Sequence, residues 1–183
     1  MHAAPFHAGE IALQHRAGVH ERMAAVGRQV IRDHMPDQHR ELFEKLPTLL
    51  LATLDDAGQP WPTMLAGAPG FVRTPDARTM RIGAHLAEGD PARAGLRAGA
   101  AIGVLGLEPH TRRRNRMNGV VSAVEEGGFS VRVAQSFGNC PKYIQARRAT
   151  YYASRIRPPS LRRLAGLDDD ARAVIRGADT FFL

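Results

Sequence analysis

The 183-residue sequence predicts a mainly β protein with flanking helices (α+β), built on an antiparallel barrel. Three observations predict it. Between residues 46 and 137, short apolar runs recur with Gly, Pro and Asp turns between them, the rhythm of antiparallel strands. Two of these runs, 111–124 and 129–137, face each other across the turn Glu125-Glu126-Gly127-Gly128, as a hairpin would. Before residue 46 the apolar residues instead fall at helical spacing.

Residues 6–35 predict helix: Ile11, Val19, Met23, Val26 and Ile31 form an apolar stripe that Pro36 stops. Asp37 is placed to cap a short helix over 38–45, with Leu42 and Phe43 inward. LPTLLLATL (46–54) predicts a buried strand, DDAG a turn, and QPWPTMLAG a second strand opened by prolines. A further turn leads to a third strand around Thr79–Ala84. In GDPARAGLRAG, Asp90 caps a short helix with Pro91 in its first turn and Gly99 at its end. AAIGVLGL (100–107) predicts a fourth strand and the hairpin completes the set. RIRPPSLRR (155–163) predicts a linker, and LDDDARAVIRGA a short helix with three acids in its first turn, favourable to the helix dipole. No periodic repeat stands out. The organisation expected is a helical segment at 1–45, a barrel at 46–154, and at 155–183 a linker, a short helix and the start of a truncated second barrel.

Composition narrows the function. A 44% hydrophobic content supports a core, and 18 glycines with 12 prolines supply many turns. The single cysteine excludes an internal disulfide and fits a reducing, cytoplasmic compartment. The N-terminus has no cationic leader followed by an apolar run, and no stretch reaches the ~20 apolar residues of a membrane span. A net charge of +7 points to an anionic partner, either a phosphorylated small molecule or nucleic acid.

Two stretches carry the chemistry. In HTRRRNRMNG (110–119), strand alternation places Arg112, Arg114 and Arg116 on one face and Arg113, Asn115 and Met117 on the other. Phosphate is the natural counterion for such a row, because guanidinium offers a bidentate fork; the alternatives are a solvated edge strand or an RNA contact, which lacks interleaved aromatics. FGNCPKYIQ (137–145) holds the only cysteine and one of two lysines. Pro141 suits the first position of a helix, so Lys142 beside free amides would favour an anion and lower the Cys140 pKa; a plain strand-to-helix turn is the alternative. His15/His20 and His34/His39 are five apart and fall on different helical faces, and no metal motif is present, so no metal is expected. His85 and His110 sit at strand ends near the basic run. No catalytic acid, base or nucleophile is identifiable.

Taken in order, the Asp55/Gly58/Pro60 turn, PGFVR (69–73), the GDP-started helix, RRRNRxNG and NCPKYIQ resemble the pyridoxamine 5'-phosphate oxidase-like family of FMN-binding split barrels. The resemblance spans roughly residues 8–183 and is nearest to the first barrel of longer, multidomain members. It implies FMN at the interface of a homodimer, an oxidoreductase role with a small-molecule redox substrate, and neither membrane nor nucleic-acid binding. It places Pro62-Thr63-Met64-Leu65-Ala66 along the isoalloxazine ring, with Phe71 to Arg73 continuing that wall. Arg114 and Arg116 would face the phosphate, and the Cys140-Pro141-Lys142-Tyr143 turn would close the site, Lys142 as anion contact. Trp61, Met64 and Phe71 would bury against the second subunit. Where many relatives open the inserted helix with a basic segment, this chain has Glu88-Gly89-Asp90-Pro91, which favours a rival reading: a docking barrel with a decayed flavin site. The arginine- and tryptophan-bearing substrate segment of true pyridoxamine phosphate oxidases is absent, so vitamin B6 oxidation is not expected. In two-barrel relatives a second barrel begins near ADTFFL (178–183).

Overall fold

The computed structural model describes residues 5–138, 140–148, 150, 162 and 164–181. Seven strands make one antiparallel sheet: β1 (Thr48–Leu54), β2 (Pro60–Ala66), β3 (Val72–Asp76), β4 (Thr79–Ile82), β5 (Ala101–Glu108), β6 (Arg113–Glu125) and β7 (Gly128–Gly138). Their order is β2-β1-β5-β6-β7-β4-β3, so β2 and β3 are its two edges. The antiparallel split barrel expected from the sequence is the observed fold. One strand more than the six expected is present, because β3 reads as a turn in sequence: it is short and contains Pro75. Pairing only with β4, it is an edge strand, where proline is tolerated.

Edge β2 manages its prolines in the same way. The Gly67 N–H bonds inward to the Pro47 carbonyl at 3.0 Å, so odd-numbered residues of this strand turn their donors toward β1. Pro60 and Pro62 therefore occupy positions whose missing N–H would have pointed to the open side.

The concave face holds the core: Leu49, Leu51, Val104, Met117, Val121 and Val131 are at most 3% exposed. Helix α3 (Asp37–Lys45) plugs one end of it with Leu42 and Phe43, both fully buried as expected. Pro36, not Asp37, holds the cap position, and it supplies no side-chain cap. Gly106 makes the close fit possible: a Cβ there would lie 2.7–2.9 Å from Phe43 and Leu46 atoms. Polar contacts orient the plug. The Thr74 N–H donates to Glu44 (2.8 Å), Arg40 donates to the Thr74 carbonyl (2.7 Å), Arg113 to the Gln38 carbonyl (2.9 Å), and His39 Nδ1 meets Ser136 Oγ at 2.8 Å inside the core. At the other end the 3-10 helix Pro91–Gly95 covers β1, with Thr53 donating to the Ala92 carbonyl (2.6 Å).

The single helix expected over 6–35 is two: α1 (Ala8–Arg16) and α2 (His20–Val30), broken at Ala17–Gly18, where Gly18 is left-handed (φ 65°). The break folds α2 back, so His15 and His20, expected on different faces, stack with centroids 4.0 Å apart. After α2, Arg32 and Ser136 exchange both backbone hydrogen bonds, anchoring the arm to β7.

Helix α4 (Asp169–Gly177), capped by Asp168, forms as expected from its acid-rich start. It also reveals a repeat that the sequence reading missed. Like α3 it has nine residues, and Asp169, Arg172, Val174, Ile175, Ala178 and Thr180 follow the spacing of Asp37, Arg40, Leu42, Phe43, Leu46 and Thr48. Three of these six pairs are identical and three are apolar replacements, too few to register as a period. In α3 this face is buried, whereas Val174 is 73% exposed. The linker expected at 155–163 lies outside the described residues except for Arg162, which pairs with Asp168 at 2.6 Å. None of the described helices is long and apolar enough to cross a membrane.

Two outcomes follow from this architecture. Gly128 has φ 140°, and a Cβ there would lie 2.0 Å from the Ile82 carbonyl oxygen, so Gly128→Ala should lower stability in urea unfolding by about 2–4 kcal/mol. Burial, then the nearby Arg32 and Arg113 charges, holds the His39 pKa below its ordinary value. The folded state then binds fewer protons than the unfolded chain, so stability is full above about pH 6.5 and falls as pH drops through the lowered folded value. Glu44 and Asp55 are themselves held below the ordinary carboxylate range by their Thr74 and Trp61 donors, so their contributions disappear only at lower pH. Melting temperature should therefore decline between pH 7 and 5 in the wild type and less steeply in His39→Gln.

Candidate functional site

Register decides which residues share the convex face, because directly paired residues of an antiparallel ladder point the same way. One row reads Met64–Leu50–Leu105–Arg116–Phe137, and the next Pro62–Ala52–Gly103–Asn118–Gln135. Toward the other side of the first row, Leu107 pairs with Arg114. The face is thus a shelf: apolar and small side chains on β2, β1 and β5, then guanidiniums and amides on β6. Met64 stands 62% exposed, and Leu50, Leu105, Arg114 and Arg116 are half-buried.

β7 joins this face through a bulge. Asn118 pairs with Gln135 but Gly119 with Val133, so Ala134 is the extra residue. Simple alternation would put Gln135 on the same side as Val133, in the core. The bulge turns Gln135 and Phe137 outward and Ser136 inward. There the Asn118 amide donates to Gln135 (3.0 Å), and Gln135 donates to the Pro5 carbonyl (3.3 Å). A cavity of about 370 Å³ lies between this amide pair and the N-terminal arm, lined by Phe6, His7, Glu10, Ile31 and Phe137 among others. Sequence reasoning named neither amide, and only the bulge reveals them.

Arg114 is the centre of the basic end. Its Nη2 donates to the Cys140 carbonyl at 2.8 Å, while its Nε is buried with no hydrogen-bond partner. An orphaned guanidinium N–H is costly unless an acceptor meets it. The shelf and this donor fit a ligand that is flat and weakly polar at one end and anionic at the other.

Of the residues singled out in the sequence, the structure brings Met64, Arg114, Arg116 and Cys140 to this face. Arg112 departs from the expected row: it lies in the turn before β6 with φ 55°. Leu65 is 5% exposed and points into the core, opposite Leu49, so it cannot border a ligand on the convex face. Thr63 is on the core side as well, its hydroxyl donating to Asp90. Phe71 is half-buried, packed on Gly67 and against the core. Arg73, on the far edge strand, sits opposite Arg81, three strands from β6. Trp61 pairs with Thr53, a register opposite in facing to Met64, and its indole N–H donates to Asp55 at 2.9 Å. The helix expected at Pro141 is absent: residues 140–148 hold only a turn at Lys142 and Tyr143, the latter left-handed (φ 70°), so no helix amides surround Lys142. Cys140 is exposed and lacks the helix terminus that was expected to activate it. Asp90 caps the 3-10 helix by accepting from the Ala92 N–H (2.9 Å) as well as from Thr63. His85 contacts the Glu126 carbonyl, and His110 borders a separate cleft of about 280 Å³ with Lys45, Pro69 and Glu108. No cluster of three or more metal-ligating side chains occurs among the described residues.

Two crystal structures of HupZ from Group A Streptococcus align with the chain at 14% identity, with TM-scores of 0.46 and 0.45, over 57% of this chain and 99% and 93% of theirs. A solved F420 reductase aligns at 14% identity with a TM-score of 0.37, over 58% of this chain and 97% of its own. No curated protein matches. A family model described as pyridoxamine 5'-phosphate oxidase matches residues 35–162, from the plug helix through all seven strands and beyond. The chain belongs to the pyridoxamine 5'-phosphate oxidase family.

Proposed function

We propose that the convex shelf binds a flavin through its FMN unit and that the protein is a flavin-dependent oxidoreductase acting on a small molecule. The observation that carries this reading is the buried, partnerless Arg114 Nε beside Arg116, at the end of an apolar sheet face. A phosphate dianion needs at least two strong donors, and alternation along β6 presents these two arginines side by side. Leu50, Leu105, Ala52 and Gly103 offer a flat apolar surface, and Asn118 offers an amide at its border. When bound, the flavin supplies hydride or single-electron chemistry; the chain orients it, excludes water from one face and neutralises its phosphate.

The docking-barrel alternative drew on Glu88 and Asp90. Asp90 is engaged by Thr63 and by the helix cap, a structural role that weakens the case for a decayed site. Homodimer formation through the shelf agrees with the exposure of Met64 over half-buried Leu50 and Leu105. The likeness of α4 to α3 supports a further proposal: the exposed face of α4 is a plug for a second barrel of the same kind.

Charge-assisted hydrogen bonds contribute roughly 1.5–3 kcal/mol each, so Arg114→Ala and Arg116→Ala should each weaken FMN binding about ten- to a hundredfold in fluorescence titration. Arg162→Ala should leave it unchanged, and equal affinity in all three variants would reject this phosphate placement. Met64→Glu places a charge on the shelf and should convert a sedimenting dimer to monomer at micromolar concentration; a wild-type monomer under the same conditions would reject the dimer.

A further inference from the structure

We propose that the cavity beneath the N-terminal arm receives the small-molecule partner of the flavin, an uncharged aromatic compound with a carboxamide or lactam edge. The inference rests on the flavin reading above, whose shelf the cavity adjoins. Two clefts meet at one side chain. The arm cavity, of about 370 Å³, has Asn118 and Gln135 on its sheet side. A second cleft of about 300 Å³ lies along the shelf at Ala52 and Gly103, and Asn118 is the one residue that lines both. Its amide spans the two. The Asn118 Nδ2 donates to Gln135 at 3.0 Å, whereas its Oδ1 stands 3.6 Å from the place a Cβ on Gly103 would take. A molecule under the arm and a ring on the shelf therefore share this amide as a border.

The roof of the cavity is a fitted piece. Gln135 donates to the Pro5 carbonyl at 3.3 Å, tying the arm to β7. Phe6 is seated on Gly27 of α2, where a Cβ would lie 2.6 Å from its ring. Glycine weakens a helix interior, and at this buried position its bare backbone makes the seat. The next turn is fixed by the capping box, in which the His7 N–H donates to Glu10 at 2.9 Å. Held this way, the arm spans the cavity instead of collapsing into it.

The lining sets the ligand class. The volume falls at the small end of the ~300–1,000 Å³ range of small-molecule sites, enough for about two rings. Phe6, Ile31 and Phe137 offer apolar and aromatic contact to a flat ring. Asn118 and Gln135 each keep a second amide N–H beyond the bonds above, and a carboxamide or lactam carbonyl is the matching acceptor. Among the described residues no lysine or arginine lines the cavity, while Glu10 adds a carboxylate, so carboxylic acids and phosphate esters are repelled. The basic end at Arg114 has the opposite preference.

The test titrates the FMN-loaded full chain with benzamide and with benzoate, following the visible absorption of the flavin and ligand-observed NMR. Benzamide should bind saturably and shift the flavin band, and benzoate should bind about tenfold more weakly or worse. Gln135→Leu and Phe6→Ala should each weaken benzamide binding about three- to tenfold. Phe6 lies on the arm, outside the barrel, so its variant tests the cavity even where Gln135→Leu fails to fold; circular-dichroism melts check both. Arg114→Ala should lower FMN affinity yet leave benzamide binding to the flavin-free chain within about twofold of wild type. With FMN bound, an absence of benzamide binding, equal affinity for benzoate, an unmoved flavin band, or wild-type affinity in folded Phe6→Ala would overturn this inference alone. Benzamide binding to a folded chain that takes up no FMN would instead overturn the flavin reading, and failure of both ligands would overturn both.

Discussion

The seating of α3 in the mouth of the barrel is the constraint on which the remaining structure depends. A sheet that curls without pairing its two edges leaves its apolar interior open at the ends, and only an inserted element can exclude water there. Phe43 and Leu46 reach far enough in only because position 106 carries no side chain. Hydrophobic contact alone would let a short helix roll. The Glu44–Thr74, Arg113–Gln38 and His39–Ser136 contacts fix its rotation from three strands at once. Because Ser136 also pairs its backbone with Arg32, the same strand position anchors the plug and the N-terminal arm.

That arrangement determines what the outside offers. With the interior filled by core side chains and one end stoppered, the clefts among the described residues lie on the convex face and at the rims. The face acquires its polarity from β6, whose alternation sends Asn115, Met117 and Val121 inward and Arg114, Arg116 and Asn118 outward. β7 would contradict this pattern over its full length. The extra residue Ala134 resolves the conflict, allowing valines before it and a buried serine after it to share the interior.

The strands, the Asp90-capped turn helix and the arginine alternation were legible in the sequence because each is a local pattern: an apolar run, a cap before proline, a period of two. What was illegible depended on distant partners. Gly18 breaks the first helix only because α2 has a strand to return to, and β3 exists only because β4 offers a ladder to a proline-bearing segment. Pro141 fits a helix start equally well in isolation, yet Arg114 takes the Cys140 carbonyl and the chain turns instead. Thr63 and Leu65 do not stand alongside Met64, because the pleat of a strand gives only every second residue to one face. The amides of Asn118 and Gln135 went unnoticed because nothing local marks a bulge at Ala134.

The prolines at the margins of the sheet have a bearing on how the molecule behaves in a crowded solution. An exposed strand border is a template on which further chains can add without limit, the first step toward fibrous aggregates. Here Pro60 and Pro62 delete donors from one border and Pro75 interrupts the other. Addition of a foreign strand is thereby disfavoured at both. At the second border the plug helix shares this task, since Glu44 and Arg40 take the Thr74 N–H and carbonyl that a foreign strand would need.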